Sequence, residues 1–165
     1  MDGFRKMRRN RQELSRDESI RILKEGTSGV LALHGDDGYP YAVPISYVYD
    51  DGKLYFHGAK SGHKLDALRS YPKASFCVIA QDKVVPEEYT TYYKSVIVFG
   101  KMRILEEVEK QGAAEKLSVK YYPHDTEQNR VHTIKEAWQR LCMMELSIEH
   151  ISGKAAKEIS EAVSK

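Results

Sequence analysis

Long apolar runs are missing from this chain of 165 residues, so no stretch of it spans a bilayer as a helix. The first residues are charged and lack the apolar core of a signal peptide, which places the expected product in the cytoplasm. Cysteine is scarce. Cys77 and Cys142 each sit in an apolar, strand-like segment, and two buried free thiols are the simplest reading. Spacing alone leaves a disulfide open, but nothing else suggests a secreted scaffold. Six histidines are present, yet none forms H-x-x-x-H or stands with C-x-x-C, so no metal site is predicted. There is no G-x-S-x-G elbow, no phosphate-loop motif ending in Gly-Lys-Ser/Thr, and no G-x-G-x-x-G opening a helix after the first strand. These gaps argue against serine hydrolysis, nucleoside triphosphates and Rossmann dinucleotides. A net charge of only +2 gives no overall field for nucleic acid or an anionic membrane, and neither is expected as a partner.

What remains is an ordinary globular composition, 41% hydrophobic and 30% charged, of a size for one domain with a real core. Residues 1–14 carry the local basic cluster Arg5-Lys6-Met7-Arg8-Arg9-Asn10-Arg11 and read as a flexible arm. The folded domain is expected over 15–153, with a charged tail over 154–165. Ser15-Arg16-Asp17-Glu18 has the form of a capping box for a short helix that Gly26 stops. Strands are predicted over 29–34, 39–49, 53–58, 73–80, 94–105 and 141–151. Asp36-Asp37-Gly38 and Asp50-Asp51-Gly52 are tight turns that join the first three as an antiparallel meander. Residues 81–93 read as a loop. Helices are predicted over 106–121, with Ala113, Leu117 and Tyr121 on one face, and around 133–140, carrying Trp138. The expected fold is mainly β: six mostly antiparallel strands, closed or nearly closed into a barrel, with flanking helices.

Two local features suggest a ligand. Residues 54–69 pass from a strand, through a small-residue loop, into a helix bearing Leu65 and Leu68 inward. With Ser61 as N-cap, the amides of Gly62, His63 and Lys64 fall in the first turn, where the helix dipole adds partial positive charge. Lys60 and Lys64 add full charges, and the glycines let an anion approach the backbone. This is a phosphate seat in physical terms; it is also what a plain solvated corner looks like. The second feature is Pro44 inside the second strand, which marks an edge, a bulge or a place where something other than a strand lies alongside.

The segment LYFHGAKSGHKLDAL, preceded by PYAVPISYVYDDGK and followed by SVIVFGKMRILEEVEK and MELSIEHISGK, resembles the pyridoxamine 5′-phosphate oxidase-like FMN-binding split barrels. It is most similar to their nitroimidazole-resistance (Nim-type) branch. The resemblance spans roughly residues 8–154. It implies a six-stranded split barrel, bound FMN, and a homodimer with two equivalent sites at the subunit interface. It implies that Lys64, with Ser61, Gly62 and His63, holds the phosphate, that Gly58 and Ala59 line the loop, and that Val43, Pro44, Ile45, Ser46, Phe56 and His57 flank the flavin ring. Ser95 resembles a further family position, supplied by the second subunit. His57 has two readings: a catalytic proton donor or substrate contact, or a structural residue whose backbone meets the cofactor. Arg103 reads either as a phosphate contact or as a solvent-facing strand residue, and Trp138 as a cover over the site or as core. The implied activity is FMN-dependent reduction of a small planar acceptor such as a nitroimidazole or other nitroaromatic. The alternatives are a pyridoxamine-phosphate oxidase activity and a flavin- or haem-binding protein without turnover. The C-terminal end, Glu145-Leu146-Ser147-Ile148-Glu149-His150, lacks the arginine-rich segment that the oxidases use for substrate phosphate.

Overall fold

The structure, a computed structural model, describes residues 3–159. The sheet strands are β1 (Glu13–Leu14), β2 (Ser28–His34), β3 (Pro40–Ser46), β4 (Val48–Asp50), β5 (Lys53–Ala59), β6 (Lys73–Val85), β7 (Thr90–Ile104) and β8 (Leu141–Ala155). Among the described residues, the α-helices α1 (Arg16–Glu25), α2 (His63–Ser70), α3 (Glu107–Tyr121) and α4 (Glu127–Ala137) accompany them. All pairings are antiparallel, and the order around the sheet is β3-β2-β6-β7-β8-β5-β4, with β1 on β8. The two ends of that path, β3 and β4, are consecutive in the chain. The barrel therefore closes through one strand that pairs with β2 in its first half and with β5 in its second. The mainly antiparallel split barrel predicted from sequence is present, with eight strands in place of six.

The additional strands have identifiable origins. The predicted second strand divides at Tyr47, and Glu13 and Leu14, expected in a flexible arm, pair with Lys154 and Gly153. Further back in that arm, the Phe4 ring stacks on His150 at 4.7 Å and tilts against Phe99 at 5.5 Å. The expected loop 81–93 is instead the far half of the long β6–β7 hairpin, paired from Gln81↔Lys94 to Val85↔Thr90. Its Val, Thr and Tyr content suits a ladder, and Pro86 sits in the turn at the tip, not in the strand. Strand β8 runs to Ala155, two residues beyond the predicted domain end, and residues 160–165 of the expected tail lie outside the described part. Helix α4 begins at Glu127, earlier than predicted, because Thr126 caps it by accepting from the Asn129 amide at 3.1 Å. The Ser15/Glu18 capping box forms as read.

Two cores result. Inside the barrel, Leu31, Tyr47, Leu54, Phe56, Phe76 and Val98 are almost completely buried. Outside it, α3 and α4 cover the other face of β5 and β8, burying Tyr55 and Met143 against Ala113, Ala114, Leu117 and Ile134. Leu54 and Tyr55 point to opposite faces of β5, and both are buried.

The break at Tyr47 is stabilised by the last turn of α3. Instead of joining the ladder, the Tyr47 amide donates to the Tyr121 hydroxyl at 3.1 Å, and its carbonyl accepts from Lys120 Nζ at 3.0 Å. Lys120 also donates to the Gly26 carbonyl, and Tyr121 to the Thr27 carbonyl. The Tyr47 hydroxyl donates to the Leu23 carbonyl at 2.7 Å, and its ring lies 4.1 Å from the Lys120 ammonium. Every polar group exposed by breaking the strand here has a partner. Among the described residues, no helix is long and apolar enough to cross a membrane, and no group of three or more potential metal ligands is gathered.

Burial pushes the Lys120 ammonium down to about 8. In the unfolded chain a lysine holds its proton to about pH 10.4, so between these values the unfolded state binds more protons and stability rises with pH. Urea midpoints measured at about pH 7.5 and about pH 10 should therefore rise for the native chain relative to Lys120→Met. Parallel profiles for the two proteins would show that Lys120 is not buried as described.

Candidate functional site

The strand-to-helix elbow after β5 has the geometry of an anion seat. Gly62, at φ 132°, takes a backbone conformation that side-chain-bearing residues rarely adopt, and it serves as the N-cap of α2. Ser61, predicted as the cap, is exposed and lies one residue too early; no side chain caps this helix. The Leu65 and Asp66 amides bond to the Gly62 carbonyl at 3.1 and 3.2 Å. The amides of His63 and Lys64, by contrast, have no partner among the described residues. A Cβ built on Gly62 would have no atom within 4 Å, so this approach to the backbone is open.

Cations converge on the same place. Lys64 folds back over Gly58, its Nζ lying 4.0 Å from the position a Gly58 Cβ would take. Gly58 pairs with Cys142 of β8. Burial pushes the Cys142 thiol up, against the opposing pull of Arg69, Lys110, Lys60 and Lys64. Lys60, Arg69, Lys110 and Cys142 line a cavity of about 270 Å³. Lys110 is buried, donates to the Trp138 carbonyl at 2.8 Å, lies 4.2 Å from the indole ring and pairs with Glu107 at 3.6 Å. His63 turns away from the elbow, stacking on Tyr41 at 3.9 Å with Nε2 3.8 Å from Asp36, and so ties α2 to the β2–β3 turn.

A second cavity, of about 320 Å³, adjoins the first, sharing Leu141 and Met143 in its wall. His57 and Ser46 stand at one side of it, Leu117 and Tyr121 of α3 at another, and Ile134 and Ala137 of α4 form a roof. His57 is exposed on β5, opposite Met143, and its imidazole and the Ser46 hydroxyl have no hydrogen-bond partner among the described residues.

The predicted site residues thus fall into groups. Gly58, Ala59, Ser61, Gly62 and Lys64 form the elbow, while Ser46 and His57 face the apolar cavity. Val43 and Ile45 pack against the barrel core, and Phe56 lies fully inside it, 5.3 Å from the Phe76 ring. Phe56 therefore offers its backbone outward, while Val43 and Ile45 are partly buried. Pro44 is exposed on β3, an edge of the sheet path, and pairs with Val30. Ser95 lies on β7 opposite Ile79 and Lys154, away from the elbow of its own chain.

Arg103 takes the second of its two readings, a solvent-facing residue of β7, and its charge is paired. It forms a bidentate pair with Glu109 at 2.7 and 2.8 Å and a second pair with buried Glu145 at 3.1 and 3.2 Å. The guanidinium holds the Glu109 carboxyl down at about 2. Trp138 is half-buried against the second core, the more ordinary of its two readings. Sequence reasoning missed Lys110 and Ile134 altogether and read Leu117 and Tyr121 only as one face of a helix.

The model of the pyridoxamine 5′-phosphate oxidase family matches residues 15–155. Solved structures share the fold. A candidate 5-nitroimidazole antibiotic resistance protein from Bacteroides thetaiotaomicron superposes with a TM-score of 0.74 at 18% identity, over 87% of this chain and 86% of that one. A FAD-binding protein from Mesorhizobium loti gives 0.63 at 25% identity, over 87% and 96%. The FAD and haem binding protein from Mycobacterium smegmatis gives 0.71 at 21% identity, over 93% and 80%. No curated protein matches the sequence.

Proposed function

The chain belongs to the pyridoxamine 5′-phosphate oxidase family, and on that footing we propose that it is an FMN-dependent oxidoreductase acting on a small planar acceptor such as a nitroimidazole or other nitroaromatic. The observation that carries this reading is the elbow: two unpartnered helix-start amides beside an open glycine, with Lys64 folded over Gly58 and Lys60 and Arg69 lining the adjoining cavity. A doubly charged phosphate monoester suits that donor set. The neighbours in Mesorhizobium and Mycobacterium, described as FAD-binding, support a flavin in this fold.

In this reading Lys64 and the His63 and Lys64 amides hold the phosphate, and the backbone of 43–46 and 56–59 runs beside the ring. The flavin supplies the electrons once reduced by an external donor. His57, unpartnered and facing the cavity, holds the proton that the acceptor receives. An oxidase of pyridoxamine phosphate is disfavoured because the last strand offers no arginine cluster for a second phosphate.

We also assign a homodimer. Val30, Cys77 and Ile97 form one register row on the outer face of the sheet, next to Phe99 and Ile79. Val30, Ile97 and Phe99 are 39–40% exposed and Ile79 is 65% exposed, a continuous apolar strip on a ladder that would otherwise be polar outside. A second copy on this strip brings its Ser95 to the interface.

FMN titrated into the purified protein should bind saturably, with quenched flavin fluorescence. Lys64→Ala should weaken that binding by roughly 1.5–3 kcal/mol, the loss of a charge-assisted contact. An unchanged affinity would mean that the phosphate sits elsewhere. Ile97→Glu should convert a sedimenting dimer to monomer; a dimer that persists would remove this face from the interface.

A further inference from the structure

We propose that the 320 Å³ cavity under α3 and α4 is a binding pocket for an uncharged one- or two-ring aromatic ligand with one polar end, and that it excludes anionic analogues. The assignment of this ligand as the electron acceptor rests on the flavin reading above; its binding does not. The volume is at the lower end of small-molecule sites, which admits one or two fused rings and no long chain. The walls are Leu117, Ile134, Ala137, Leu141 and Met143.

The polar atoms along those walls are mostly committed. Ser118 donates to the Ala114 carbonyl at 2.8 Å and Thr133 to the Asn129 carbonyl at 2.9 Å, both within their own helices. The Tyr121 hydroxyl is engaged with Tyr47 and Thr27. Only His57 and Ser46, together at one side, are without partners among the described residues. A ligand therefore meets apolar surface over most of its area and hydrogen-bonding groups at one end. No lysine, arginine, aspartate or glutamate lines this cavity. Lys60, Arg69 and Lys110 lie beyond Leu141 and Met143, lining the neighbouring cavity together with Glu107. A carboxylate entering here loses its hydration without a charged partner, which is costly in an apolar wall. The division is sharp: anion recognition on one side of β8's first residues, neutral recognition on the other.

Trp138 provides the readout. It is the single tryptophan of the chain, follows cavity-lining Ala137, and packs on the same core as Leu141. Nitrobenzene titrated into the protein without flavin should quench its fluorescence saturably. At about pH 8, 4-nitrobenzoate should bind at least about tenfold more weakly. Two variants fill the space: Ala137→Phe at the roof and Thr133→Phe at the exposed rim, the second chosen because it leaves the core untouched. Both should weaken nitrobenzene binding by about tenfold or more while FMN affinity stays within about threefold. Quenching that does not saturate, or equal binding of the two probes, would overturn the pocket. So would filling variants that keep native circular dichroism and nitrobenzene binding, or that lose FMN as well, since the cavity would then be the ring's own seat. If FMN fails to bind saturably to the native protein while nitrobenzene still quenches saturably, the flavin reading fails and the pocket stands.

Discussion

Breaking a β-strand leaves backbone amides and carbonyls without a ladder, and at Tyr47 this cost is met by side chains from the end of α3. Tyr121 takes the amide, Lys120 takes the carbonyl, and the same two residues reach the turn between α1 and β2 through Thr27 and Gly26. The consequences extend in both directions. The break lets one run of chain serve as both ends of the sheet path, so the barrel closes covalently. It also fixes the end of β3, where Ser46 meets the cavity, and places α3 over β5, where Tyr121 and Leu117 become its wall. Barrel closure and cavity shape therefore depend on one polar junction, buried enough to depress the Lys120 ammonium.

The second organising feature is the separation of charge. Helix α2 starts without a side-chain cap, Lys64 folds back over Gly58, and Lys60 and Arg69 line the adjoining cavity, where Lys110 is already paired with Glu107. Free helix-start amides beside such cations suit an anion. Across Leu141 and Met143 the lining is neutral. The arrangement suits a ligand, or a pair of ligands, with a charged tail in one place and an uncharged planar part in the other. The Arg103–Glu145–Glu109 cluster stays out of this chemistry because its charges are mutually satisfied, and its work is to join β7, β8 and α3.

Much of this architecture was legible in the residues, because local chemistry and tertiary structure agree. The Asp-Gly turns adopt positive φ at Asp37, Gly38, Asp51 and Gly52, and the Ser15–Glu18 cap forms. The elbow was legible in outline but not in its cap: Ser61 has the right chemistry, yet Gly62 alone tolerates the required φ of 132°. The long hairpin was misread because Pro86 and a run of polar and aromatic residues look like a loop when the partner strand is unseen. The cavity was legible only at Ser46 and His57. The rest of its lining joins residues from α3, α4 and β8, and each taken singly reads as core or surface. Phe56, assigned to the ring by its motif, is buried because strand parity turns it inward with Leu54. Residues 3–14 were read as a free arm from their charge, whereas Phe4 and the Glu13–Leu14 strand secure them to β8.

The outer sheet face, partly bordered by Phe4, and the cleft beneath α3 are therefore connected through the same few strands, and the junction at Tyr47 holds them in register. Amide hydrogen exchange at Tyr47 tests this most directly. The account predicts that the Tyr47 amide, outside any strand ladder, is nevertheless strongly protected, and that Tyr121→Phe abolishes the protection while amides of β6 and β7 keep theirs. Equally slow exchange at Tyr47 in the two proteins, or rapid exchange in both, would contradict it.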